Sequence, residues 1–117
     1  MTKNQINGLV AGMAQQIGCP YAFYAWPAQD PQNPAPAPPY ILFYYNDRTD
    51  EYFDNINYLK KALLTVEFYA DNVTFPAESV IEDVFTEYEL PFEAVRTYIE
   101  SEKLWLTSYE TEVTINA

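Results

Sequence analysis

Few residues of this chain could perform acid–base or nucleophilic chemistry. The chain has no histidine, which is the commonest general base and metal ligand in proteins. Its one cysteine, Cys19, cannot form an intrachain disulfide, precedes Pro20 and has no imidazole to activate it. All three glycines lie near the N-terminus, so the sequence has no glycine-rich loop that could bind phosphate. These residue types predict a protein that is not an enzyme.

Carboxylates are the one abundant reactive group, with 17 acidic residues against six basic ones. Four of them, Asp47, Asp50, Glu51 and Asp54, cluster as they would in a calcium site, but the spacing and central glycine of a calcium loop are missing. A carboxylate pair could also hydrolyse a glycoside, although so many acids become neighbours by chance. We interpret the cluster as a solvated turn and predict no catalytic residue, no metal and no cofactor.

The formal net charge of −11 excludes several classes of partner. Binding to nucleic acid needs lysine and arginine to displace counterions, and an anionic membrane repels an acidic surface. The negative charge could simply keep the protein soluble. Alternatively, it could belong to a surface that binds a basic partner, or to one along which DNA passes without sticking. The uncharged segment from Asn4 to Gln29 contains too many polar residues and glycines to span a membrane or to act as a signal peptide.

Two helices are predicted from apolar residues at helical spacing. The first begins at a capping box formed by Thr2 and Gln5 and ends at Gly18. The second begins near Pro76 and ends at Leu90-Pro91. The predicted buried stripes consist of Ile6, Leu9, Val10, Met13 and Ile17 in the first helix, and of Val80, Ile81, Val84, Phe85 and Tyr88 in the second.

The remaining segments predict strands and one long loop. Aromatic or alternating patterns predict strands at 21–26, 40–45, 62–69 (with 55–61 leading into it), 93–100 and 103–115. The segment 26–39 holds most of the nine prolines and predicts a stiff loop, and 46–50 predicts a turn. We therefore expect one domain spanning 1–117. Its fold class would be α+β, with a mostly antiparallel sheet of about five strands, two helices packed on it and the order α-β-β-β-α-β-β.

Two sets of side chains are candidates for contact with a partner. No lysine or arginine lies between Lys61 and Arg96, so the acidic side of the second helix has no balancing base nearby in sequence. That acidic side, predicted to face a channel or a partner, consists of Glu78, Glu82, Asp83, Glu87 and Glu89. Twenty aromatic residues exceed what one small core holds, so we predict subunit-interface residues among them: Tyr69, Tyr98, Trp105 and Tyr109.

Several segments between residues 38 and 113 resemble a known family. They are Pro38-Pro39-Tyr40-Ile41, the strand from Leu64 to Asn72, the helix with Glu78 and Phe85, Leu90-Pro91-Phe92-Glu93, and the segment from Tyr98 to Trp105. These segments are similar in sequence to the tail-terminator or head–tail joining (tail-completion) proteins of siphophages. The loop at 26–39 is longer and richer in proline than that family's pattern.

The resemblance implies a structural virion protein at the neck end of the tail, synthesised in the host cytoplasm and without a membrane partner. Such a protein closes into a ring, by implication a homohexamer, on the end of the tail tube. It stops polymerisation of the tube protein and provides the docking face for the head-completion or stopper protein. Genomic DNA passes through the ring without specific binding, so the acidic helix could line the channel.

Two other functions remain open from the sequence. An acidic binding module could mimic DNA and inhibit a host nucleic-acid-binding protein. A head-side stopper or adaptor of the connector would use similar surfaces within the same virion.

Overall fold

In a computed structural model, the structure describes residues 1–26, 36–53, 56–73 and 75–116. Most of the predicted proline-rich loop lies outside these residues. Helix α1 spans Lys3–Ile17 and helix α2 spans Phe75–Glu87. The strands are β1 (Tyr21–Phe23), β2 (Tyr40–Phe53), β3 (Ile56–Ala70), β4 (Glu93–Ile99) and β5 (Leu104–Asn116). The α+β class, with two helices and a five-stranded sheet, is confirmed.

The sheet is mixed, which corrects the prediction of a mostly antiparallel one. Its strands lie in the order β1-β2-β3-β5-β4, and β1 pairs with β2 in parallel while the other three pairs are antiparallel. A parallel neighbour needs a crossover of roughly a dozen residues or more. The long segment 24–39, between the end of β1 and the start of β2, supplies that length. The order in the sheet also differs from the order along the chain, since β5 lies between β3 and β4.

The segment 46–50, predicted as a turn, belongs instead to strand β2. The ladder between β2 and β3 continues to the pair Phe53–Ile56, with register shifts between Asp47 and Thr49 and between Glu51 and Tyr52. Local turn preference is weak where the backbone groups find partners on a neighbouring strand. The resulting hairpin lengthens the molecule to 51 × 32 × 25 Å, with a radius of gyration of 15.5 Å. A compact chain of this length would have about 13 Å.

Both ends of α1 follow the sequence prediction. Gln5 N donates to Thr2 Oγ1 at 3.1 Å, and Thr2 N donates to Gln5 Oε1 at 2.8 Å, which completes the capping box. Gly18 ends the helix with φ of 82°, a left-handed conformation in which a side chain would be strained. Ile6, Leu9 and Met13 are fully buried, as predicted.

Helix α2 follows its predicted stripe only in part. Ile81, Val84 and Phe85 are buried, but Tyr88 is 48% exposed. The helix ends at Glu87, so Tyr88 no longer continues the helical spacing and turns to solvent. Phe85 stacks on Phe92 at 5.4 Å between ring centroids and lies 6.0 Å from the ring of Tyr109. Phe85 therefore joins α2 both to the sheet and to the segment before β4.

The two helices cover the same face of the sheet. The residues beneath them alternate along the strands, as side chains on one face of a pleated strand must. The fully or nearly fully buried strand residues of this core are Ile41, Phe43, Ala62, Leu64, Val66, Phe68, Tyr109, Val113 and Ile115.

Replacing Phe85 with alanine should test this core. We expect Phe85→Ala to lower the free energy of unfolding by about 3–5 kcal/mol, because it removes a buried ring and leaves a cavity. The matched control Tyr88→Ala, at an exposed position three residues on, should change it by no more than about 0.5 kcal/mol. Urea unfolding followed by circular dichroism measures both. Equal losses for the two variants would contradict the placement of α2.

Candidate partner-binding surface

The face of the sheet opposite the helices is not covered by either helix. Strand alternation and the pairing register place on it the residues that lie between the core positions. We call this surface the open face. Its members with described side chains include Tyr40, Leu42, Tyr44, Leu63, Thr65, Glu67, Tyr69, Val95, Thr97, Leu106 and Ser108.

Apolar and aromatic side chains of the open face lie beside charged ones, since the register places Glu93, Glu110 and Glu112 on the same face. Val95 on the edge strand β4 is 63% exposed, while Leu42, Leu63 and Leu106 are half-buried. The ring of Tyr24 stacks on Tyr44 at 5.5 Å. Exposed apolar and aromatic side chains beside carboxylates make this face a candidate site of contact with another molecule.

Three aromatic side chains form a layer at the end of the open face where β2 begins. Tyr40 and Tyr69, which pair across β2 and β3, stack with ring centroids 4.9 Å apart. The indole of Trp26 meets the ring of Tyr40 edge-on at 5.4 Å. We call Trp26, Tyr40 and Tyr69 the aromatic platform.

Glu67 lies beside the aromatic platform. Tyr69 OH donates a hydrogen bond to Glu67 Oε1 at 3.2 Å. Half-burial raises the pKa of the Glu67 carboxyl, and the hydrogen bond from Tyr69 only partly offsets this. Burial raises the pKa of the Tyr69 hydroxyl as well, with further contributions from the charges of Glu67 and Glu102. The platform therefore adjoins two carboxylates, one of them partly desolvated.

The structure corrects the predicted acidic side of α2 at Glu78, which faces the sheet and is only 6% exposed. Arg96 of β4 forms a bidentate ion pair with it, in which Arg96 Nε donates to Glu78 Oε2 at 3.2 Å and Nη2 donates to Oε1. Thr107 Oγ1 lies 3.4 Å from the same carboxylate, and the guanidinium lies 5.3 Å from the ring centroid of Phe75. The missing base is supplied from a residue that is distant in sequence.

The rest of the acidic side divides in two. Glu82 is half-buried and accepts from Tyr109 OH at 3.5 Å, so it too leans towards the sheet. Asp83, Glu87 and Glu89 are exposed. Only these three present carboxylates to solvent in the way the sequence predicts for a channel- or partner-facing surface.

The predicted interface aromatics do not share one surface. Tyr109 is fully buried among core rings, which corrects its assignment to an interface: its position on β5 faces the helices. Tyr98 and Trp105 pair with each other at 5.0 Å on the helix-bearing side, where Tyr98 is 45% exposed. Tyr69 alone lies on the open face. The pairing of β5 with β3 and β4 determines which side of the sheet each of these aromatic residues faces. A single sequence does not show that pairing.

The described residues offer little for catalysis. No group of three or more Cys, Asp or Glu side chains among them is arranged to hold a metal ion. Burial raises the pKa of the Cys19 thiol to about 11, so the thiol is un-ionised at neutral pH and a poor nucleophile. A cavity of about 450 Å³ beside Phe92 is lined by three carboxylates, Glu93, Glu110 and Glu112, and by Thr111, whose hydroxyl donates to the carbonyl of Pro91 at 2.6 Å.

The sequence matches no protein-family model and no curated protein. Within the described residues, neither helix is long and apolar enough to cross a membrane.

Removing Arg96 should expose the cost of burying Glu78. We expect Arg96→Met to lower the melting temperature, because it leaves a buried carboxylate without its cation. The double variant Glu78→Gln/Arg96→Met should recover part of the loss, since a neutral amide costs less to bury than an unpaired charge. Melting followed by circular dichroism measures both.

The control for this pair is Lys103→Met, which removes an exposed positive charge from the turn between β4 and β5. It should leave the melting temperature almost unchanged. If Arg96→Met and Lys103→Met behave alike, the ion pair does not hold α2 to β4.

Neutralising Glu67 should stabilise the protein at neutral pH. The pKa of the Glu67 carboxyl in the folded protein lies above the ordinary value of 4.5. The carboxyl therefore favours the folded state at a pH below 4.5, and this stabilisation is lost as the pH rises through the pKa of the folded protein. We expect Glu67→Gln to unfold at higher urea than the wild type at pH 7, with the difference vanishing near pH 4. The exposed control Glu87→Gln should show little difference at pH 7. A stabilisation by Glu67→Gln that grows as the pH falls would contradict this.

Proposed function

We propose that this chain is a structural subunit that works by contact with copies of itself and with neighbouring proteins. The observation that carries the proposal is the open face, on which aromatic and apolar side chains lie beside carboxylates and which neither helix covers. Tyrosine and tryptophan are enriched in protein interfaces because they bury a large area with few torsions to fix.

More specifically, we propose a phage tail-terminator or head–tail joining protein. The supporting features are the resemblance across residues 38–113, the α+β architecture and the acidic surface. In this proposal the protein forms a ring on the tail tube, by analogy a homohexamer. The tail-tube protein and a head-completion or stopper protein would be its other partners, in the neck of the virion.

The two edges of the sheet favour a ring over a symmetric dimer. At one edge, β4 pairs only with β5 among the described strands. At the other, the short strand β1 pairs in parallel with residues 41–43 of the much longer β2. Two unlike edges suit head-to-tail contact between copies, which closes into a ring when the rotation permits.

The exposed carboxylates fit the passage of DNA. Asp83, Glu87 and Glu89 on and after α2 project into solvent, while the one basic side chain recorded against this helix, Arg96, is occupied by Glu78. If this part of α2 lines a channel, its negative charge would repel phosphate and prevent sticking. No specific recognition of DNA is needed in such a role.

A charge on the open face should weaken ring formation. We expect Val95→Glu to reduce self-association by about tenfold or more, because one desolvated charge in an apolar contact costs over 1.4 kcal/mol. The control Tyr88→Glu adds the same charge at an exposed position on the other side of the molecule and should assemble normally. Sedimentation velocity, alone and with purified tail tubes, measures assembly. A wild-type protein that stays monomeric beside tubes would refute the ring.

Particles that lack the protein test the role in the virion. We expect electron microscopy to show overlong tails beside unattached heads, because nothing stops tube growth or joins the head. Normal virions would exclude the terminator role. Displacement of DNA from a basic host protein by the monomer would instead favour a DNA mimic.

A further inference from the structure

We propose that the aromatic platform, together with Glu67 and Glu102, is a binding site for an arginine side chain of a partner protein. The inference rests on the proposed function for the nature of the partner, a virion protein, and deepens it by naming what that partner presents. The site combines three neighbouring features. One segment of a partner that carries an arginine would interact with all three.

The first feature is aromatic area. Tyr40 and Tyr69 are stacked and half-buried, and Trp26 packs edge-on against Tyr40. A guanidinium group is planar and weakly hydrated, so it stacks on aromatic faces more readily than an ammonium group does. The hydrogen bond from Tyr69 to Glu67 fixes that ring in place beside the charge.

The second feature is negative charge that has lost part of its hydration. Glu67 is half-buried on a surface of tyrosine, leucine and threonine, and burial makes its ionised form costly. Glu102 lies near enough for its charge to act on both Tyr40 and Tyr69. A cation placed over the platform would offset the cost at Glu67 and interact with Glu102 as well.

The third feature is an indole N–H without an acceptor. Trp26 Nε1 is enclosed and makes no hydrogen bond within the part of the chain that the structure describes. Indole can only donate, and a guanidinium group can only donate, so arginine alone does not satisfy Trp26. A backbone carbonyl beside the arginine would satisfy it once the groups that enclose the N–H move aside, which favours a peptide segment over a free cation.

Charge favours a different protein over a second copy of this chain as the occupant. With a net charge of −11, another copy of this chain is attracted to the site less than a basic protein is, and Arg96, the arginine with a described side chain, is already paired with Glu78. A basic partner is attracted by the same charge, and its arrival should be sensitive to salt.

Tryptophan fluorescence of a Trp105→Phe variant tests the site, because Trp26 is then the only tryptophan in the chain. The probe is the peptide acetyl-Gly-Arg-Gly-amide, compared with the same peptide carrying citrulline, which has the shape of arginine without its charge. We expect a saturable change with the arginine peptide that weakens with salt, and at least about tenfold weaker binding of the citrulline peptide.

Two further variants distinguish binding at this site from nonspecific attraction to the negative charge of the protein. Glu67→Gln should weaken binding of the arginine peptide by about tenfold or more, and a urea unfolding curve of the same variant at pH 7 checks that it is folded. The control Asp83→Asn removes an exposed carboxylate from α2 and should bind as the parent does. Equal binding of the two peptides, or unchanged binding by Glu67→Gln, would overturn the inference.

Sedimentation distinguishes this inference from the proposed function. Self-association that Glu67→Gln abolishes would show that a second copy occupies the site, which also overturns the inference. Peptide binding by a protein that stays monomeric beside tail tubes would support the arginine site while refuting the ring. A protein that forms the ring normally but does not bind the arginine peptide would support the ring and refute the arginine site.

Discussion

The placement of both helices on one face of a single sheet is the constraint on which the rest of this structure depends. A five-stranded sheet has two faces, and α1 and α2 pack side by side over the face that carries Ile41, Val66 and Tyr109. That arrangement makes one continuous core, and neither helix covers the second face. In the proposed function, the apolar side chains of that second face make their contacts outside the subunit.

The ion pair between Glu78 and Arg96 attaches the second helix to the edge of that sheet. Arg96 points inward from the edge strand β4, and its fork matches both oxygens of the Glu78 carboxylate. An inward-pointing charge is one means by which proteins make an edge strand less prone to indiscriminate pairing. The same interaction removes Glu78 from the acidic surface of α2, so the negative charge that solvent meets comes from the end of the helix and the turn after it.

The exposed carboxylates of α2 and the aromatic platform lie on opposite sides of the sheet. The exposed carboxylates of α2 lie on the helix-bearing side, whereas the aromatic platform lies on the open face with Glu67 as its half-buried charge. The proposed ring subunit would use surfaces that differ in this way, since copies, tube, head and DNA make different chemical demands. In that proposal the charges of α2 face DNA, the partly desolvated charge of Glu67 faces a cation, and the sheet separates the two.

The sequence by itself determined the local structure. The capping box and Gly18 bounded α1, and alternation placed Leu64, Val66 and Phe68 on one side of β3. Tertiary structure alone decided what depends on pairing between distant segments. It made β1 parallel to β2, extended β2 through residues that favour turns, buried Glu78 and Tyr109, and brought Tyr40 onto Tyr69. Caps and side-chain periods act within a few residues, whereas strand register and buried ion pairs join residues many positions apart.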